Sequence, residues 1–122
     1  MSDVDLDFSI SETTDGDVHV VAVAGQADLH TASDLRAAIA TTIGAGAANV
    51  VVDLSETTFI DSMALGVLLG ALKRLAPLEG RIAIACPNAS LRRIFEITSL
   101  DRVLDVTATR DEAIARVRHP TS

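Results

Sequence analysis

The sequence contains no Trp and no Tyr, and its only aromatic residues are Phe8, Phe59 and Phe95. Without aromatic platforms, stacking on nucleic-acid bases is not provided for, and the three Phe are expected to fill the core. Positive charge is also short. Ten Lys and Arg stand against 17 Asp and Glu, a formal net charge of -7. Such a balance repels phosphate backbones and anionic lipid surfaces, whose binding rests on clustered Lys and Arg, so neither nucleic acid nor direct membrane binding is expected. No apolar run approaches the roughly 20 residues that cross a bilayer, and Met1 to Asp7 is acidic where a signal peptide is basic and then apolar. A cytoplasmic protein is expected. The single cysteine, Cys86, has no internal disulfide partner, and beside Ile82, Ala83, Ile84 and Ala85 it reads as a structural thiol at the end of a buried strand.

At 122 residues, 48% of them hydrophobic, the chain suits one domain with a real core, spanning 1–122 with an ordered part of about 6–118. Phe8 to Glu12 and Val18 to Ala24 read as strands joined by an Asp15-Gly16 hairpin turn. Leu35, Ile39 and Ile43 recur at helical spacing from Ala32, with Thr31 and Asp34 as a start signal and Gly44 as a stop. Val50-Val51-Val52 marks a central strand, Asn49 to Leu54, buried on both faces. A second helix runs from Ser62 to Leu75 and ends on Lys73 and Arg74, which complement its dipole. Arg81 to Cys86 is a strand, Leu91, Ile94 and Phe95 mark a third helix, and Val103 to Val106 is the last strand. Thr109 and Glu112 form a capping box that opens a helix through Val117. The order is ββαβαβαβα, an α/β domain with a mostly parallel mixed sheet, an N-terminal antiparallel hairpin and about four helices.

Enzyme chemistry finds little support. His19, His30 and His119 are dispersed, no metal-ligand spacing joins them to Cys86, and no glycine-rich phosphate loop follows a strand. Asp61-Ser62-Met63 lacks the flanking glycines of a nucleophile elbow. No cofactor and no metal are expected.

The informative stretch joins the central strand to the second helix. At about 100° per residue, Leu65, Leu68, Leu69, Leu72 and Leu75 share one side, expected to face the core. Met63, Gly66, Val67, Gly70 and Arg74 fall on the other, which is apolar and small for its first two turns. Burial on both sides and a partner-binding face both fit that pattern. Ser62, taken alone, reads as a helix cap or as a phosphorylatable residue.

At these residues the chain resembles the STAS domains, and among them the bacterial anti-sigma factor antagonists. Phe59-Ile60-Asp61-Ser62-Met63-Ala64-Leu65-Gly66 is similar to the family signature, with Ala64 where glycine is usual and Met63 where a small polar residue is common. Gly25-Gln26-Ala27-Asp28 followed by Thr31-Ala32 resembles the family's Gly-x-x-Asp loop and helix start, with Gln26 and Ala27 replacing a frequent Glu and Leu. Leu91 to Leu100 and Thr109 to Ala113 resemble the third helix and the start of the last. The resemblance implies that Ser62 is a phosphoacceptor, with Asp61 beside it in the recognition loop and Asp28 facing the same site. It further implies an anti-sigma factor that is itself a serine kinase as partner, bound by the unphosphorylated form, and a phosphatase that reverses the block. Partner binding is thus expected at Asp28, Asp61, Met63, Gly66, Val67 and Gly70, on a monomer or weak dimer. The alternative is a STAS subunit that is never phosphorylated, serving a larger lipid-transport or stress-signalling assembly, with Ser62 merely a cap.

Overall fold

Val50, Val51 and Val52 are each fully buried, and the fold is built around their strand. Alternate side chains of a strand leave on opposite faces, so a run of three β-branched residues needs a cover on both sides. One face carries Val50 and Val52 and is covered by the first three helices; the other carries Val51, Ala83 and Ala85 and is covered by the last helix through Ala113, Ile114 and Val117. The computed structural model describes residues 8–118. The expected ordered part begins at residue 6, and residues 6 and 7, His119 and both ends expected to fray lie outside the described residues.

The elements are β1 (Ser9–Asp15), β2 (Val18–Ala27), α1 (Ala32–Gly44), β3 (Asn49–Ile60), α2 (Ser62–Leu75), β4 (Arg81–Ala85), α3 (Ala89–Ile97), β5 (Asp105–Thr107) and α4 (Arg110–Arg118). They form a five-stranded sheet in the order β1-β2-β3-β4-β5. β1 pairs antiparallel with β2 and the remaining pairs are parallel, so the mixed α/β domain and its ββαβαβαβα order agree with the sequence reading. Gly16 closes the hairpin at φ 62°, a conformation that costs glycine little. The capping box at α4 is made as expected: the Glu112 amide donates to Thr109 Oγ1 at 3.1 Å, and Glu112 Oε1 accepts from the Thr109 amide at 3.2 Å.

Three strands extend further than their hydrophobic pattern suggests, β1 to Asp15, β2 to Ala27 and β3 to Ile60. β3 continues through Ser55, Glu56 and Thr58 to Ile60, although its pairing with β4 ends at Asp53. Thr57 is buried there because its hydroxyl donates to the Val23 carbonyl at 2.8 Å. Register shifts between β2 and β3 at Ala22/Ala24 and Gly25/Gln26 each place an extra residue on β3 and break the alternation. One consequence corrects the expected core. Phe95 is fully buried and Phe8 packs partly buried against the core, but Phe59 is 46% exposed, on the stretch of β3 beyond β4 where Ile60 turns inward instead.

On the face of the sheet opposite α1 and α2, Asp53 is buried and its carboxylate accepts from Arg110 Nε at 2.7 Å and from the Ser55 amide at 2.9 Å. Burial pushes this carboxyl up, but hydrogen bonds from the Ser55 hydroxyl and amide, with the Arg110 guanidinium, outweigh burial and hold it below the usual carboxylate range. Cys86 is fully buried, and burial raises its thiol, which suits an inert core residue.

Candidate functional site

Parallel strands deliver their carboxyl ends to one edge of the sheet, and the loops that leave β2 and β3 meet there. The Asp61 amide donates to the Ala27 carbonyl at 3.1 Å, joining the two loops through the backbone. The loop after β2 is set by local chemistry. Gly25 has φ 94° and is buried, a combination open to glycine and strained for other residues. Asp28 Oδ1 then accepts from the His30 amide at 2.9 Å and the Thr31 amide at 3.3 Å, turning the chain into α1. Thr31, expected to signal the start of α1, makes no side-chain cap; its hydroxyl donates back to the Gln26 carbonyl at 2.8 Å.

Asp61 fastens the second loop to the first. Its Oδ1 accepts from the Met63 amide at 3.0 Å and the Ala64 amide at 3.1 Å, the geometry of a helix N-cap. Its Oδ2 accepts from the Leu29 amide at 2.9 Å, across 32 residues of sequence. One carboxylate therefore starts α2 and holds the Asp28 loop against it. The cap is Asp61 and not Ser62, which corrects the reading of Ser62 as a cap. Ser62 is the first residue of α2, it is exposed, and no group among the described residues holds its hydroxyl.

The expected site residues divide. Asp28, Asp61, Ser62 and Met63 come together at this edge, Asp28 and Asp61 half-buried and Ser62 and Met63 exposed, Met63 by 45%. Asp28 reaches the site through its loop, since its carboxylate is engaged on its own backbone. Gly66 is exposed and Gly70 half-buried, further along α2. Val67 does not lie on an open face. It is 4% exposed within the main core, together with Ala64 and Ala71, because α1 packs alongside α2 and covers that side. Leu65, Leu68 and Leu75 are buried as expected, while Leu69 and Leu72 are only half-buried. The buried side of α2 is thus rotated from the leucine side toward α1. Two residues escaped the sequence reading: Leu29, 62% exposed, and Phe59. Leu29 carries a signal, an apolar residue inside a polar turn, whereas Phe59 was assigned to the core on residue type.

This edge offers an exposed hydroxyl and three exposed large apolar side chains, Leu29, Phe59 and Met63. Among the described residues no group of three His, Cys, Asp or Glu is placed to hold a metal ion.

The described fold is that of a known class. The chain belongs to the STAS domain family, whose model matches residues 9–113. An anti-sigma F factor antagonist of Lysinibacillus sphaericus is 30% identical over 81% of this chain and 85% of that protein. A solved anti-sigma factor antagonist from Mycobacterium paratuberculosis superposes with a TM-score of 0.80 at 28% identity, covering 91% of this chain and 94% of that one. The Bacillus cell fate determinant SpoIIAA, solved in its phosphorylated form, gives a TM-score of 0.67 at 29% identity, over 91% and 99% of the two chains.

Proposed function

We propose that this protein is an anti-sigma factor antagonist whose unphosphorylated form binds an anti-sigma factor that is a serine kinase, and that phosphorylation of Ser62 switches binding off. It acts by occupying a partner and not as an enzyme, and a phosphatase resets it. The observation that carries the reading is the exposed, unheld hydroxyl of Ser62 beside Asp61, at an edge that also exposes Leu29, Phe59 and Met63. The names of its relatives support the antagonist role, and the phosphorylated form of SpoIIAA supports a phosphate switch.

Charge explains how the switch would act. A phosphate adds about -1.5 to -2 charge, and a helix N-terminus, roughly +0.5, tolerates it. The amides that would cradle it, those of Met63 and Ala64, are already taken by Asp61. The phosphate is therefore favoured by the dipole, opposed by the neighbouring carboxylate and left facing outward. In contact with a partner's apolar surface it would be desolvated beside a like charge, so binding fails while the domain stays folded. The rival reading, in which Ser62 serves only as a cap, loses its physical basis because Asp61 does that work.

The test is phosphotransfer. Each anti-sigma factor kinase encoded in the same genome is incubated with ATP and the protein, and the product is mapped by mass spectrometry. One phosphate on Ser62, and none on Ser62→Ala, is expected. Phosphate elsewhere, or on none of the kinases' products, would overturn the switch.

A further inference from the structure

The α1 and α2 helices leave a groove between them of about 380 Å³, running along α2 away from Ser62. Its floor is apolar and small, made by Ile39, Val67 and Ala71 with Gly66 and Gly70. Arg36 from α1 and Lys73 and Arg74 from α2 line it as well, all three exposed, and among the described residues no acidic side chain does. None of these cations makes an ion pair among the described residues, although the chain as a whole carries a net charge of -7. Acidic residues outnumber basic ones over the chain as a whole, yet here three cations gather without an acidic side chain among the described lining residues.

The glycines add a separate argument. Gly66 and Gly70 are one helical turn apart on the same side of α2. A Cβ built on either would meet nothing within 4 Å, so no internal packing requires glycine, and glycine inside a helix weakens it relative to alanine. By contrast, a Cβ on Gly80 would meet the Ala48 carbonyl oxygen at 2.7 Å. The fold demands the glycine at position 80 and not those at 66 and 70. Bare backbone at this spacing lets a second helix approach closely, and the cations suit carboxylates on it.

We infer that the α1–α2 groove docks an acidic amphipathic helix of the anti-sigma factor, with small apolar side chains over Gly66 and Gly70 and carboxylates against Arg36, Lys73 and Arg74. The inference rests on the function proposed above. It adds a contact region that begins one helical turn beyond Ser62 and selects among partners by charge.

The probes are the purified anti-sigma factor kinases of the same genome, titrated one by one. Against the kinase that binds the native protein, Arg36→Glu/Lys73→Glu/Arg74→Glu is expected to bind at least tenfold more weakly and to lose most of the salt dependence. Gly70→Leu is expected to bind at least tenfold more weakly while melting higher than the native protein, which separates lost docking from lost folding. Arg93→Glu, at an exposed position on α3, is expected to bind as the native protein does. Native affinity in both groove variants, with Ser62→Asp still impaired, would overturn the groove and leave the proposed function standing. If no kinase binds the native protein, both fall.

Discussion

Replacing Asp61 is the perturbation whose consequences the structure defines most fully. Asp61→Ala removes the bonds to the Met63 and Ala64 amides and the bond from the Leu29 amide. Loss of an N-cap costs about 0.5–2 kcal/mol. Loss of one further hydrogen bond costs about 0.5–1.5 kcal/mol. The sum, roughly 1–3.5 kcal/mol, corresponds to a fall in melting temperature of about 4–14 °C for a domain of this size. Asp61→Asn separates the two roles, because its amide oxygen still caps α2 while its amide nitrogen, a donor, faces the Leu29 N–H. The asparagine variant is expected to lose only the inter-loop bond, about 0.5–1.5 kcal/mol. Thermal circular dichroism measures the totals, and amide hydrogen exchange assigns them. In Asp61→Asn the Leu29 amide should exchange fast while Met63 and Ala64 remain protected; in Asp61→Ala all three should exchange fast. A melting temperature for Asp61→Ala within about 1 °C of native, which corresponds to only a few tenths of a kcal/mol, would refute the reasoning.

Val67→Asp should unfold the protein, since it places an uncompensated charge in the main core, and far-ultraviolet circular dichroism will report the loss. Gly66→Ala should stabilise by up to about 1 kcal/mol, whereas Gly80→Ala, crowded by Ala48 and Leu75, should destabilise; paired urea titrations read the opposite signs. Because the Asp53 carboxyl is depressed in the folded state, its contribution is complete above the unfolded carboxylate pKa. It is lost as pH falls below about 4, and Asp53→Asn should flatten that part of the stability–pH curve.

How far the sequence reveals this molecule depends on which signals are local. Helix α2 begins at Ser62 and ends at Leu75 as its pattern indicates, and the α4 capping box and the Asp15-Gly16 turn were readable because each is specified by residues a few positions apart. The continuations of β2 to Ala27 and β3 to Ile60 were not, since register shifts erase the alternation and the polar Thr57 is buried by donating its hydroxyl to the Val23 carbonyl of β2, 34 residues away in sequence. The same limit applies at the site. Asp28, Asp61 and Ser62 stood out in the sequence, but the bond from the Leu29 amide to Asp61 is tertiary, and so is the packing of α1 that takes Val67 into the core. An apolar residue on a helix states that something covers it. Whether that cover is another helix of the same chain or a partner is decided by the fold.

The central claim is that a phosphate on Ser62 changes binding and leaves folding alone. Calorimetric titration of the cognate anti-sigma factor kinase with the unmodified and the Ser62-phosphorylated protein, beside a thermal melt of each, tests it most directly. The account predicts affinity at least tenfold weaker with the phosphate, about 1.4 kcal/mol or more, and melting temperatures that nearly coincide. Equal affinity of the two forms, or a weakened binding matched by an unfolded domain, would contradict it.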